Sequence, residues 1–145
     1  MREKSNFVER LNEMMDYANL NAPALTKIIG CGHYTIERYL TGQSPSLDIV
    51  VKLADYFQCS TDFLLGLADD YVTETYLPVP PFSERLPQLL SHFKITAYRL
   101  QKLTGIAESA MDFWKKGIRT PTLDSIIRIA KALDCPVDFV IGRVK

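Results

Sequence analysis

Residues 58–66 read QCSTDFLLG, and residues 134–142 read DCPVDFVIG. Cys, Asp, Phe and Gly recur in the same order, and two aliphatic residues precede each Gly. Equivalent residues of the two stretches are 76 positions apart, and the match continues toward the N-terminus. Before residue 119 the separation is 75, because the second copy contains one inserted residue near Arg119. The aligned pairs include Phe7 with Phe82, Arg10 with Arg85, Leu11 with Leu86, Gly30 with Gly105 and Gly42 with Gly117. The sequence therefore predicts a module of about 60 residues present twice, and two copies indicate two small domains because a solenoid needs at least three repeats.

The repeat places one domain at residues 5–67 and the other at residues 82–143. Between them, residues 68–81 are acidic and then rich in proline. Pro78, Pro80 and Pro81 exclude a helix interior and favour an extended path. We therefore predict that residues 68–81 form a linker.

Within each module, apolar residues recur with the spacing of short helices, which predicts five helices per module and an all-α fold. Five Ser, Thr or Asn side chains stand where they would cap helix N-termini: Asn21, Ser46, Ser60, Thr96 and Thr122. The second helix is predicted to bury Leu25, Ile28 and Ile29, and the third to run from about residue 33 to residue 41. Pro87 predicts that the first helix of the second module starts late or is bent.

Composition favours a packed protein, since 47% of the residues are hydrophobic and 23% are charged. No apolar run approaches the roughly 18–20 residues needed to cross a bilayer. The N-terminal stretch MREKSNFVERLNEMM lacks the apolar core of a signal peptide. The expected location is the cytoplasm, with no membrane partner.

The cysteines Cys31, Cys59 and Cys135 show no CxxC spacing, which argues against a zinc ribbon or a disulfide framework. They are predicted to be small core side chains. Cys31 and His33 alone are a weak candidate pair for a metal. We predict no metal and no cofactor.

Charge is divided unevenly between the halves of the chain. Residues 1–70 contain 6 Lys or Arg and 10 Asp or Glu, for a net charge of −4, whereas residues 71–145 contain 11 and 7, for +4. Such asymmetry indicates different surfaces and possible differences in partners.

A helix, a turn centred on Gly and a second short helix have the spacing of a helix-turn-helix. The first module contains LTKIIGCGHYTIERYLTG and SPSLDIVVKLADYFQCSTDFLLG, and the second LQKLTGIAESAMDFWKKG and TPTLDSIIRIAKALDCPVDFVIG. Both modules resemble the XRE/Cro-repressor family of bacterial and phage DNA-binding domains. The resemblance implies two tandem five-helix lambda-repressor-like domains, each binding double-stranded DNA in the major groove through its third helix. It also places Trp114 in the core.

The modules depart from that family at two kinds of position. Many members begin the second helix with a Gln that contacts the DNA backbone, but Ala22 and Ala97 stand here. Many also pair the Arg of the first helix with a Glu two residues before the Gly that follows the third helix. Leu40 and Lys115 occupy those positions, so Arg10 and Arg85 are predicted to find solvent or another acid.

In the first module, four residues on the outward side of the third helix are predicted to contact bases: His33, Tyr34, Glu37 and Arg38. Arg38 matches guanine O6 and N7, Glu37 would accept from cytosine N4, and Tyr34 suits a thymine methyl group or a phosphate. Thr41, Gln43 and Ser44 are predicted phosphate contacts. The alternative is an ordinary solvated helix face.

The outward residues of the second module's third helix are Glu108, Ser109, Asp112, Phe113 and Lys116. Ser109 and Asp112 are candidate base contacts, although the two acids on this face repel phosphates. The candidate phosphate contacts are five basic residues: Arg99, Lys102, Lys115, Lys116 and Arg119. A solvated helix end, where Lys and Arg are favoured by the helix dipole, is the alternative.

The predicted function is sequence-specific transcriptional regulation, most simply repression, with both modules on one DNA segment. Fourteen residue steps from Leu67 to Pro81 reach at most about 46–50 Å, which allows for recognition helices roughly 34 Å apart on adjacent major grooves. The alternative is a protein-interaction or dimerisation module in which one or both domains no longer bind DNA. A homodimer is possible, and no small-molecule ligand is evident. Without a Ser/His/Asp array or a phosphate-binding Gly-rich loop, no enzyme is predicted.

Overall fold

The structure is a computed structural model that describes residues 3–69 and 75–145, and the side chains of residues 7–69 and 75–145. All regular secondary structure in these residues is α-helical, which confirms the predicted fold class. The chain divides into two compact units, Met1–Thr75 (unit 1) and Tyr76–Lys145 (unit 2). Each unit contains five helices within its described residues.

Unit 1 contains α1 (Glu3–Tyr17), α2 (Ala22–Ile29), α3 (Thr35–Leu40), α4 (Leu47–Phe57) and α5 (Thr61–Leu64). The caps predicted for α2, α4 and α5 are confirmed. Side-chain oxygens of Asn21, Ser46 and Ser60 accept hydrogen bonds from the backbone N–H three residues later. Each bond satisfies one of the N–H groups that a helix leaves unpaired at its start.

Unit 2 contains α6 (Phe82–Phe93), α7 (Ala97–Thr104), α8 (Glu108–Lys116), α9 (Leu123–Leu133) and α10 (Val137–Ile141). Thr96 and Thr122 cap α7 and α9 as predicted. Pro87 lies at the sixth position of α6, so a start delayed beyond this proline is wrong. Burial of Phe82, Leu86 and Leu89 accounts for this helix, because tertiary packing outweighs the one backbone bond that Pro cannot donate.

Each unit encloses its own apolar core. The fully buried side chains of the two cores include Leu11, Leu25, Ile36, Leu53 and Leu64 in unit 1, and Leu86, Leu89, Leu100, Met111, Ile126 and Ile129 in unit 2. The prediction for Ile28 is wrong, since this side chain is 47% exposed. Leu25 and Ile29 share a face of the two-turn helix α2, and Ile28 lies to one side of it. Among the cysteines, Cys59 is buried as predicted, but Cys31 and Cys135 are only partly buried.

An aromatic pair at repeat-equivalent positions joins the first helix of each unit to the third. The rings of Phe7 and Tyr39 meet edge to face at 6.0 Å, and those of Phe82 and Trp114 at 5.6 Å. Trp114 is 4% exposed, so its predicted core position is confirmed. These contacts hold the inner side of the third helix against the core and leave its outer side to solvent.

Arg10 and Arg85 bind the last helix of their own unit. Arg10 Nη1 donates to the carbonyl of Phe63 at 2.6 Å and to that of Ala68 at 3.3 Å, and its guanidinium lies 3.9 Å from the Phe63 ring centre. Arg10 also lies near two acids, Glu13 at 3.6 Å and Asp69 at 3.9 Å. Arg10 therefore lies near acids as predicted, but the prediction was incomplete, because Nη1 also donates to two backbone carbonyls.

Arg85 makes the equivalent contacts in unit 2. It donates to the carbonyls of Phe139 and Val140, and its guanidinium lies 4.8 Å from the Phe139 ring centre. Its third partner is the side-chain oxygen of Gln88 at 3.0 Å, not an acid. Burial lowers the pKa of the Arg85 guanidinium, while the neighbouring Cys135 acts in the opposite direction.

The described ends of residues 68–81 contact the unit on their own side. At one end, Ala68 and Asp69 contact Arg10 as above. At the other, Tyr76 lies under the guanidinium of Arg143 at 3.9 Å, and the Leu77 N–H donates to the Arg143 carbonyl at 2.8 Å. Arg143 is fully buried and pairs with Asp138 at 3.2 Å. Residues 70–74 of the predicted linker lie outside the described residues.

Candidate nucleic-acid interface

The helix-turn-helix of unit 1 consists of α2, residues 30–34 and α3. Gly30 ends α2 in the left-handed conformation, at φ 80°. Tyr34 is also left-handed, at φ 64°, immediately before α3. The prediction that the third helix begins near residue 33 is therefore wrong: His33 and Tyr34 belong to the turn. The left-handed backbone of Tyr34 cannot continue a right-handed helix, and Gly32 nearby is a weak helix former.

Ile36 and Tyr39 are the buried anchors of α3. Around them, His33, Tyr34 and Arg38 are exposed, and Tyr34 is 66% exposed. The ring centres of His33 and Tyr34 lie 6.0 Å apart. The structure thus presents three of the four base-contact candidates of unit 1 to solvent, two from the turn and one from the helix.

Glu37, the fourth candidate, is only half-buried, and its Oε1 is buried without a hydrogen-bond partner in the described structure. Of the three phosphate candidates, all are exposed. The Thr41 hydroxyl donates to the Arg38 carbonyl at 2.8 Å, so its proton is already used. Gln43 and Ser44 therefore retain the side-chain donors better suited to a phosphate.

The helix-turn-helix of unit 2 has a shorter turn and a longer third helix. Only residues 105–107 separate α7 from α8, and α8 has 9 residues where α3 has 6. Met111 and Trp114 are its buried anchors. The two base-contact candidates, Ser109 and Asp112, are exposed on the opposite side.

The phosphate candidates of unit 2 are all exposed, and several are held by neighbours: Arg99, Lys102, Lys115, Lys116 and Arg119. Lys116 Nζ lies 2.9 Å from Asp112 Oδ2. Lys102 Nζ lies 5.1 Å from the ring centre of Tyr98, and the guanidinium of Arg119 lies 4.8 Å from the ring centre of Phe113. Asp112 thus neutralises one cation of this face, whereas the two aromatic contacts leave the charges of Lys102 and Arg119 in place.

In residues 3–69 and 75–145, no three His, Cys, Asp or Glu side chains are grouped to hold a metal ion. No described helix has both the length and the apolar character needed to span a bilayer.

Both units match the family model of the Cro/C1-type HTH DNA-binding domain, unit 1 over residues 10–70 and unit 2 over residues 85–141. The chain belongs to this family. A curated relative from Bacillus subtilis (strain 168), described as "Uncharacterized HTH-type transcriptional regulator YobD", is 31% identical over 61 residues. The match covers 42% of this chain and 54% of the relative, so the chain matches about half of that protein's length. No solved structure matches the chain.

Tyr98 of the second Cro/C1-type domain is an exposed aromatic residue that was not among the predicted contacts. Tyr98 is 65% exposed at the second position of α7, where the repeat places Pro23 in unit 1. It lies beside two candidate phosphate contacts, Arg99 in sequence and Lys102 in space. The spacing of Tyr98 and Lys102, four residues apart on one helix, was a signal that could have identified the pair.

Proposed function

We propose that this protein is a sequence-specific transcriptional regulator that represses by steric block, with DNA-binding domains at residues 5–67 and 82–143. The observation that supports this most is that each Cro/C1-type unit buries the inner side of its third helix and exposes the outer side. The relative named as an HTH-type transcriptional regulator supports the regulatory role. An exposed polar helix of this kind suits the major groove.

In this proposal, unit 1 provides base contacts through His33, Tyr34 and Arg38. Arg38 would donate to guanine O6 and N7, and Tyr34 would contact a thymine methyl group or a phosphate. Glu37 is a weaker candidate because part of its carboxylate is buried. Gln43 and Ser44 would bind phosphates just beyond α3.

Unit 2 would supply most of the phosphate binding, through Arg99 and Lys102 on α7 and Lys115 and Lys116 at the end of α8. Its half of the chain carries the positive excess, +4 against −4. Because one chain carries both units, binding of either raises the effective concentration of the other on the same DNA. We propose that both units bind one segment and divide base recognition and phosphate binding unequally.

The experiment that tests the proposal is selection of bound sequences from random double-stranded DNA by the full chain. The wild type is compared with the double variant Tyr34→Ala/Arg38→Ala and with Lys52→Ala, which removes one exposed positive charge from α4 of the same unit. We expect a defined site for the wild type and for Lys52→Ala, and in the double variant a loss of preference at the base pairs that unit 1 contacts. Wild-type affinity should also fall steeply as salt increases.

Unchanged preference in the double variant would refute base recognition by unit 1. Absence of any DNA binding in dilute buffer would refute the proposed function as a whole.

A second candidate function is protein interaction or dimerisation through unit 2. It is favoured by Ile118, which is 62% exposed beyond α8, and by the acids Glu108 and Asp112 on the outer side of that helix. Self-association of a chain that binds no DNA, measured by sedimentation and reduced by Ile118→Ser, would support this function. DNA binding by a monomeric chain would count against it.

A further inference from the structure

The third helix of unit 2 has no arginine at the position that Arg38 occupies in unit 1. The repeat aligns Arg38 with Phe113. The cations of α8, Lys115 and Lys116, stand at its C-terminal end, and Lys116 is paired with Asp112. On its helix alone, unit 2 therefore lacks a guanidinium that could bind the edge of a base.

The turn after α8 contains the one residue that the repeat inserts. The N–H of Ile118 donates to the carbonyl of Phe113 at 3.0 Å, just as the N–H of Gln43 donates to that of Arg38 at 3.1 Å. Ile118 and Gln43 are thus structural equivalents. Pro121 aligns with Pro45 at a separation of 76 residues, whereas Ile118 and Gln43 are 75 residues apart. The inserted residue therefore lies between Ile118 and Pro121.

Arg119 is the first residue after these equivalents, and its side chain returns to the helix. Its N–H also points to the Phe113 carbonyl, at 3.4 Å. Its guanidinium carbon lies 4.8 Å from the centre of the Phe113 ring. An arginine from the turn therefore lies beside Phe113, the residue that the repeat aligns with Arg38.

The turns that follow α3 and α8 differ in one hydrogen bond to the third helix. In unit 1 the Tyr39 hydroxyl accepts a hydrogen bond from the Ser46 N–H at 3.2 Å, tying the chain to α3. Its counterpart Trp114 carries an indole, which has no hydrogen-bond acceptor. The chain after α8 therefore lacks this tie and contains one more residue.

We propose that Arg119, held over Phe113, is the base-recognising guanidinium of unit 2, and that the pair selects a guanine next to a thymine. This inference rests on the proposed DNA-binding function, and it assigns Arg119 to a base and not to a phosphate. A ring against one face of the guanidinium limits its motion and leaves the N–H groups at its edge available. Those groups match guanine O6 and N7, and the apolar ring of Phe113 matches the thymine methyl group.

The test uses the full chain and the DNA site selected by the wild type. Single guanines are replaced by 7-deazaguanine, which lacks the N7 acceptor, and single thymines by uracil, which lacks the methyl group. We expect wild-type binding to weaken when one particular guanine or the thymine next to it is replaced, on the order of tenfold for the guanine. Variants of unit 2 should remove these effects. Arg119→Ala should abolish the sensitivity to that guanine, and Arg38→Ala should preserve it.

Three further variants sharpen the test. Arg119→Lys retains the charge but not the planar fork, so it should lose the guanine sensitivity as Arg119→Ala does. Phe113→Ser, which removes the apolar contact, should lose the thymine sensitivity, with its thermal unfolding checked against the wild type. Arg128→Ala, which removes an exposed arginine from α9 of the same unit, should change neither response.

Two outcomes would overturn the inference while leaving the proposed function intact. In the first, Arg119→Ala weakens binding to all sequences alike and reduces the salt dependence by about one phosphate contact, which identifies a phosphate ligand. In the second, every guanine and thymine substitution changes binding by the Arg119 variants as much as it changes binding by the wild type. That outcome does not depend on whether Phe113→Ser folds. If the wild type binds no DNA at low salt, both the inference and the proposed function fail.

Discussion

Tyr34 combines backbone strain with an exposed side chain. Other non-glycine residues with positive φ follow the C-terminal ends of helices, namely Asn19, Gln58, Lys94 and Asp134, whereas Tyr34 precedes one. The left-handed conformation costs a residue with a Cβ about 1 kcal/mol or more. A residue that keeps such strain at a predicted contact surface is a candidate for function.

Replacement of Tyr34 should separate stability from DNA binding. We expect Tyr34→Gly to be about 1 kcal/mol more stable than Tyr34→Ala, because only glycine adopts this φ without strain. Both variants should bind DNA more weakly than the wild type, since both lose the ring. Urea unfolding and DNA titration measure the two effects, and a Gly variant no more stable than the Ala variant would contradict the strain.

At the scale of the helices, one arginine joins the first and last helix of each unit. Arg10 and Arg85 place planar guanidinium groups on Phe63 and Phe139 and donate to backbone carbonyls of the same segment. Lysine cannot reproduce a stacked, multiply donating fork. The planar guanidinium, and not the positive charge alone, therefore stabilises these contacts.

Arg85→Lys should destabilise unit 2 by about 1–2 kcal/mol, because partly buried carbonyls lose their donors. The matched control is Arg128→Lys on α9, whose partner Asp124 lies 3.1 Å away in an exposed pair. Such surface pairs contribute about 0–1 kcal/mol. The shift of the urea midpoint measures both changes. Equal shifts would show that the stacked guanidinium of Arg85 adds nothing to the stability of unit 2.

At the scale of the whole molecule, two units of opposite charge share one chain. The contacts of Asp69 in unit 1 and Tyr76 in unit 2 leave seven residue steps between these two residues. That length reaches at most about 25 Å, which is shorter than the sequence-based span of fourteen steps suggested. This is less than the roughly 34 Å between recognition helices on adjacent major grooves, so the bodies of the two units would have to span the difference if both bind one segment. Once both units reach the DNA, a longer tether lowers the effective concentration of the second unit.

Insertion of twenty Gly and Ser residues between residues 70 and 74 should weaken binding to a DNA site contacted by both units by roughly fivefold. The salt dependence should stay the same, because no phosphate contact is removed. The same twenty residues added at the N-terminus provide the control, and DNA titration at several salt concentrations gives both quantities. Undiminished affinity would indicate that the units bind DNA independently.

Much of the fold was predictable because its signals are local. The caps at Asn21 and Thr122 and the buried faces of the helices depend on residues three or four positions apart, and the repeat made each domain evidence for the other. Two predicted helix starts were wrong: the delayed start at Pro87 and the start near residue 33. Pro87 lies inside a helix held by buried side chains, and Tyr34 ends the helix pattern through its own backbone conformation.

By itself, the sequence determined that the chain is a duplicated all-α protein of the helix-turn-helix type, because helix periodicity, capping and duplication are written in neighbouring residues. Only the tertiary structure decided which partners the arginines have. Arg85 bonds to carbonyls 54 and 55 residues away, and Arg119 turns back to Phe113 through a turn whose course depends on the packing beneath it. Long charged side chains have many possible partners in a sequence, and folding selects among them by bringing distant groups into reach.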